Sequence, residues 1–155
     1  MTASFSEILD PTCVVLELST RKKRPVIEEL VATLQNAGKI GDARTLAEEI
    51  LEREKLTSTA IGHGIAVPHR LSDQVPATTL AFGRSSAGVK FDAPDNTPVT
   101  LVFLLVGPTG AHTAHLRLLS RLSRYLNDPE FRGALHAAQS AEEVTRLFAE
   151  REAQK

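Results

Sequence analysis

Histidine is the side chain whose proton comes and goes nearest neutral pH, and its uncharged ring is a good nucleophile. Four of the five histidines fall into two clusters: His63 and His69 in one glycine-rich stretch, His112 and His115 at the start of a helical one. His69 directly follows Pro68, whose ring fixes φ, and comes just after Gly62-His63-Gly64. Glycines let a backbone approach a ligand closely and aim N–H groups at an anion. On spacing alone, a histidine in such a stretch is weak evidence for chemistry. His115 is in register with Leu118, Leu119 and Leu122, the i, i+3, i+4, i+7 pattern of one helix face. That stripe puts it in the core, at the helix end nearest a strand terminus, where open α/β sheets carry their active sites. A core histidine with no function fits the same spacing. A third possibility is a zinc hydrolase built on His63, His69, His112 and His115, because catalytic zinc sites use three protein ligands. No HExxH motif or ligand-spaced carboxylate supports it.

The elements that would hold these side chains alternate between strand and helix. Val14–Leu18 reads as a short strand. A helix is expected over 25–37, with Ile27, Leu30, Val31 and Leu34 on one face, Pro25 in its first turn and Gly38 at its stop. A second covers 42–54, with Asp42 as N-cap and Ala43, Leu46, Ala47, Ile50 and Leu51 as its stripe. Ile65–Val67, Thr78–Arg84 and Gly88–Phe91 are strand candidates. Val99–Val106 is nearly all apolar, which predicts a central strand covered on both faces. Helices then follow over 111–127, 129–138 and 141–150, the last opened by Ser140-Ala141-Glu142-Glu143 in the form of a capping box. The class is α/β: a central mixed β-sheet flanked by helices on both faces, in a single domain over 1–155 with its core at 11–148.

Composition narrows the function. At 155 residues and 42% hydrophobic content, one domain can bury a core without staples. Eighteen basic against 19 acidic residues give a net charge of −1, which argues against a nucleic-acid binder. Arg21-Lys22-Lys23-Arg24 reads as a solvated face. The single cysteine, Cys13, excludes an intrachain disulfide or a cysteine cluster and reads as inert packing. The first residues lack the basic-then-apolar pattern of a signal peptide, and the longest apolar run is far short of the ~20 residues of a membrane span. A cytoplasmic protein with no membrane insertion is expected.

The motifs resemble a known family. Arg53-Glu54, Ser58-Thr59, Ile61-Gly62 and Gly64-Ile65-Ala66-Val67-Pro68-His69 look like the active-site signature of enzyme IIA domains of the fructose–mannitol type, from the bacterial phosphotransferase system. Phe91-Asp92-Ala93, Asp95-Asn96 and Pro98-Val99 are similar to its central block, and His115-Leu116 followed by Leu118-Leu119 matches its second histidine. Ala137-Ala138-Gln139-Ser140 with Glu142-Glu143 is similar to the nitrogen-regulatory branch. The resemblance runs from Pro11 to Phe148. It implies a phosphotransferase component that takes a phosphoryl group from an HPr-type phosphocarrier protein onto His69. It implies further that Arg53 faces the phosphoryl oxygens, that His115 flanks the acceptor, and that Ser58, Thr59, Gly62 and Gly64 form a phosphate-positioning loop. No metal and no cofactor are implied. Arg53 could instead simply complement a helix C-terminus.

Three positions depart from the family pattern. Ala60 stands where glycine is usual, and would be strained by roughly 1 kcal/mol if φ must be positive. His63 stands where asparagine is common, and Arg70 where a small residue is frequent. His112 and His136 have no family match and read as solvent-facing. With no IIB domain in the sequence, the chain reads as regulatory, its phosphorylation state sensed by a target protein in nitrogen- or potassium-type signalling. The alternative is a stand-alone sugar-specific IIA component that passes its phosphoryl group to a IIB domain.

Overall fold

The computed structural model describes residues 4–154. Three short pieces lead in: α1 (Phe5–Ile8), a 3-10 turn at Pro11–Cys13, and β1 (Val14–Val15). Two helices packed against each other follow, α2 (Lys23–Asn36) and α3 (Ala43–Leu56). Then come β2 (Ala60–Gly62), β3 (Ile65–Ala66), β4 (His69–Leu71), β5 (Thr79–Val89) and β6 (Val99–Gly107), and finally α4 (His112–Leu126), α5 (Pro129–Ala137) and α6 (Ala141–Ala153).

The apolar run at 99–106 is the centre of the sheet, as its composition requires. β6 pairs antiparallel with β5 along one edge, and β1 joins β5 in parallel. Along its other edge β6 pairs in parallel with β3 and then, further on, with β4. β2 closes the sheet by a hairpin with β3. Helices cover both faces. Ile27, Leu30 and Leu34 of α2 and Leu46 and Ile50 of α3 pack on one, around Val102, Leu104 and Val106. Leu118 and Leu122 of α4, Leu135 of α5 and Phe148 of α6 pack on the other, around Leu101, Phe103 and Leu105. The mixed sheet with helices on both faces is therefore the architecture expected.

Several local expectations change. The strand expected at 14–18 is only two residues long. The two strands expected at 78–84 and 88–91 are one, β5, whose register slips between Arg84 and Val89. The slip is a bulge: Gly88 takes φ +89°, and its N–H donates to Ser85 Oγ at 3.0 Å. The second helix starts at Lys23, so Pro25 is its third residue, still within the turn whose N–H groups have no helical partner. Asp42, Asp128 and Ser140 cap their helices as side-chain acceptors. The packed core also reaches beyond 11–148: Phe5 and Leu9 are buried, and Glu152 of α6 accepts the N–H groups of Phe5 and Ser6. Cys13 is buried, and burial pushes its thiol pKa up, which keeps it unreactive. The basic run is not wholly solvated. Lys23 is 18% exposed, lies 5.0 Å from the centre of the Phe91 ring, and pairs with Glu54 and Asp92.

Candidate active site

His69 begins β4, opposite Leu105 of β6. The Pro68 carbonyl accepts the Leu105 N–H at 3.0 Å, so the turn before the histidine is sewn to the central strand. The imidazole is half-buried, and its Nδ1 lies 2.8 Å from the Val67 carbonyl oxygen. A carbonyl only accepts, so Nδ1 carries the proton, and in the neutral ring Nε2 keeps its lone pair. That tautomer is the one with a nucleophilic nitrogen on the outer side of the ring.

His115 lies in the first turn of α4, with its ring centroid 5.6 Å from that of His69. It is 5% exposed, and among the described residues neither ring nitrogen has a hydrogen-bond partner. Burial, then the neighbouring His69 and His112, lower its pKa to about 4. At neutral pH it is therefore an uncharged ring with one N–H to offer. A buried polar group left unpaired is expensive, by about 1–3 kcal/mol, and is seldom kept in a fold without a reason.

Arg53, in the last turn of α3, lines the same cleft of about 310 Å³ as His69 and His115. Among the described residues no carboxylate pairs with its guanidinium, unlike that of Arg70, which stands 3.7 Å from Glu49. The cleft also meets His112 and the apolar side chains of Leu116 and Leu119. Ala111 offers no side-chain cap to α4, so the positive end of that helix is open beside the cleft. The cleft thus brings an exposed guanidinium, an uncapped helix start and a buried imidazole together with the ring of His69, and groups of these kinds suit a tetrahedral anion.

The residues expected to form a phosphate loop stand elsewhere. His63 (φ +58°) and Gly64 (φ +75°) are the two central residues of the β2–β3 hairpin, the left-handed pair of a type I′ turn. A Cβ on Gly64 would lie 3.1 Å from Thr100 Oγ1. Ser58 Oγ donates to the Phe91 carbonyl, and Thr59 is bound to Glu54. None of Ser58, Thr59, Gly62 and Gly64 lines the His69 cleft; they build the segment that leads to it. Asp95 accepts the N–H groups of Thr97 and His63, and those bonds hold its pKa below the usual carboxylate range. Ala60 lies in β2 without a positive φ, so the strain expected there does not arise. His112 is exposed but borders the cleft, and His136 is exposed with its Nε2 2.8 Å from Thr100 Oγ1. Among the described residues no three His, Cys, Asp or Glu side chains are grouped to hold a metal ion.

Residues 7–151 match the family described as phosphoenolpyruvate-dependent sugar phosphotransferase system, EIIA 2. The chain belongs to that family. It is 39% identical, over 90% of its length, to a fructose-specific EIIABC component of Bacillus subtilis, of which it spans only 22%. It is 36% identical to a fructose-specific EIIA component of Haloferax volcanii, over 94% of this chain and 95% of that protein. A nitrogen regulatory protein of Bradyrhizobium diazoefficiens is 32% identical over 94% of each chain. The solved structure of nitrogen regulatory protein IIA-Ntr from Neisseria meningitidis superposes with a TM-score of 0.85 at 36% identity, covering 92% of this chain and 97% of that one. The phosphotransferase family, its fold and its phosphoryl-transfer character agree with the sequence signature. Among the described residues no helix is long and apolar enough to cross a membrane.

Proposed function

We propose that His69 is the phosphoacceptor, and that the chain is a phosphocarrier whose phosphorylation state is a regulatory signal in the cytoplasm. An HPr-type protein presents a phosphohistidine. The P–N bond in the donor breaks as a new one forms to His69 Nε2, and the donor ring leaves with its electron pair. The proton stays on Nδ1, donated to the Val67 carbonyl throughout, so the acceptor needs no separate base. Transfer of this kind is catalysed mostly by positioning and by neutralising the equatorial oxygens. Arg53 and the His115 N–H supply the charge and the donor. Ser58, Thr59, Gly62 and Gly64 act indirectly, by setting the path of the chain into Pro68-His69.

One observation carries this reading: His115 is buried against His69 with both ring nitrogens unpartnered. A core histidine packed for its own sake would have found a carbonyl or hydroxyl. The test is incubation with phosphoenolpyruvate, the first phosphotransferase enzyme and an HPr-type carrier. One acid-labile phosphoryl group should appear on the wild type and none on His69→Ala. A normal mass gain in that variant refutes the assignment.

A second reading is favoured by the 39% identity to the Bacillus subtilis fructose-specific protein. In it the chain passes its phosphoryl group to a sugar-specific IIB domain. Phosphorylated protein mixed with such a domain separates the two. Rapid loss of the phosphoryl group supports transport, and retention supports a signalling role.

A further inference from the structure

Glu54 follows Arg53 in the last turn of α3, and its side chain is 2% exposed. A carboxylate this buried is costly unless it is paired and hydrogen-bonded. Its partners are specific. Oε2 accepts the Thr59 N–H at 3.0 Å, Oε1 accepts the Thr59 hydroxyl, and Lys23 Nζ stands 3.7 Å away. Two of these contacts clamp one residue, three positions beyond the end of the helix.

Thr59 is joined to the acceptor histidine. Its carbonyl accepts the Val67 N–H at 3.1 Å, and the Val67 carbonyl accepts the His69 Nδ1–H at 2.8 Å. The Val67–Pro68 peptide has no N–H of its own, because proline lacks one. Its orientation is therefore set from its two sides, by Val67 held to Thr59 and by the Pro68 carbonyl held to Leu105. If Thr59 loosens, the Val67 carbonyl is free to turn. The proton of His69 is then no longer obliged to stay on Nδ1, and a ring protonated at Nε2 cannot attack.

We propose that Glu54 is a positioning residue that holds His69 in its reactive tautomer, acting through Thr59 and Val67; this rests on His69 being the acceptor. Glu54 touches neither the imidazole nor the cleft. Its effect is on how much of the protein has the Nε2 lone pair ready.

The experiment reads the tautomer and the rate separately. The ring-nitrogen shifts of His69 are recorded by ¹⁵N NMR on unphosphorylated protein at pH 8, and phosphorylation by an HPr-type carrier is timed on the same samples. Glu54→Ala should move the His69 shifts toward the other tautomer and slow phosphorylation by at least about fivefold, the worth of one hydrogen bond. Thr59→Val, which keeps the N–H and loses the hydroxyl, should do so in part. Thr59→Ser, which keeps both donors, should restore the wild-type shifts and rate. If Glu54→Ala does not fold, Glu54→Gln and the two Thr59 variants decide the matter. Wild-type shifts in Glu54→Gln and Thr59→Val overturn the proposal, even if the rate falls, because a merely structural role would lower stability without moving the tautomer. The shifts can be read whether or not wild type is phosphorylated. Absence of phosphate on wild-type His69 therefore counts against the acceptor reading, and unchanged shifts count against Glu54 alone.

Discussion

Replacing His115 with phenylalanine should move stability and activity in opposite directions. The ring is of similar size and stays apolar, so it fills the same space beside His69 without two unpartnered nitrogens. The wild-type ring has a folded-state pKa of about 4, against 6.5 when unperturbed. Between those values the unfolded chain binds a proton that the folded chain does not. Wild type therefore loses stability as pH falls from about 6.5, and the loss is complete near pH 4. At pH 5 the gap is one and a half units at 1.36 kcal/mol each, or about 2 kcal/mol. His115→Phe lacks this term. Urea unfolding at pH 7.5 and pH 5 should show wild type losing about 2 kcal/mol more than the variant between the two conditions. Phosphorylation by an HPr-type carrier should meanwhile slow by roughly 10- to 100-fold, because a charge-assisted hydrogen bond worth ~1.5–3 kcal/mol is gone. Equal pH dependence in the two proteins would refute the buried neutral ring. A normal rate in His115→Phe would show that the ring is core packing and nothing more.

Other outcomes follow from the same geometry. Phosphorylation of His69 brings a dianion beside His115, so the His115 pKa should rise from about 4 on phosphorylation, read by NMR titration of its ring. Arg53→Ala should slow phosphorylation by one to two orders of magnitude with little change in unfolding midpoint, because the side chain is exposed and has no carboxylate partner among the described residues; Arg53→Lys should recover part of the rate but not the planar fork. Gly64→Ala meets both a positive φ and Thr100 Oγ1, and should lower stability by about 1–3 kcal/mol in urea unfolding.

The parts of the site set by local pattern were legible in the sequence. The stripe of Leu118, Leu119 and Leu122 put His115 on the buried face of α4, and the Val99–Val106 run marked the central strand that carries the site. The Pro68-His69 signature marked the histidine that the structure sets beside His115 in the cleft. What could not be read were features made by long-range pairing. His69 looked like part of a loop, because β4 is three residues long and exists only through its pairing with β6. The glycines around His63 looked like a phosphate cradle, and only the β2–β3 register shows that they make a hairpin turn. Glu54 stood in the signature beside Arg53, but nothing in the sequence gave it a role, since an acidic residue at a helix end usually faces water. Its burial depends on Thr59 and Lys23 arriving from two other segments.

Both β3 and β4 lie along the same edge of β6, with Val67 and Pro68 bridging them. His69 is thus mounted directly on the central strand of the sheet. The exposed side chains that border the cleft are Arg53, His112 and Leu116. The Ser72 amide, which ties the end of β4 to β6 through the Gly107 carbonyl at 2.9 Å, should accordingly resist hydrogen exchange, whereas the amides of His69 and Leu71 face the open edge of β4 and should exchange faster.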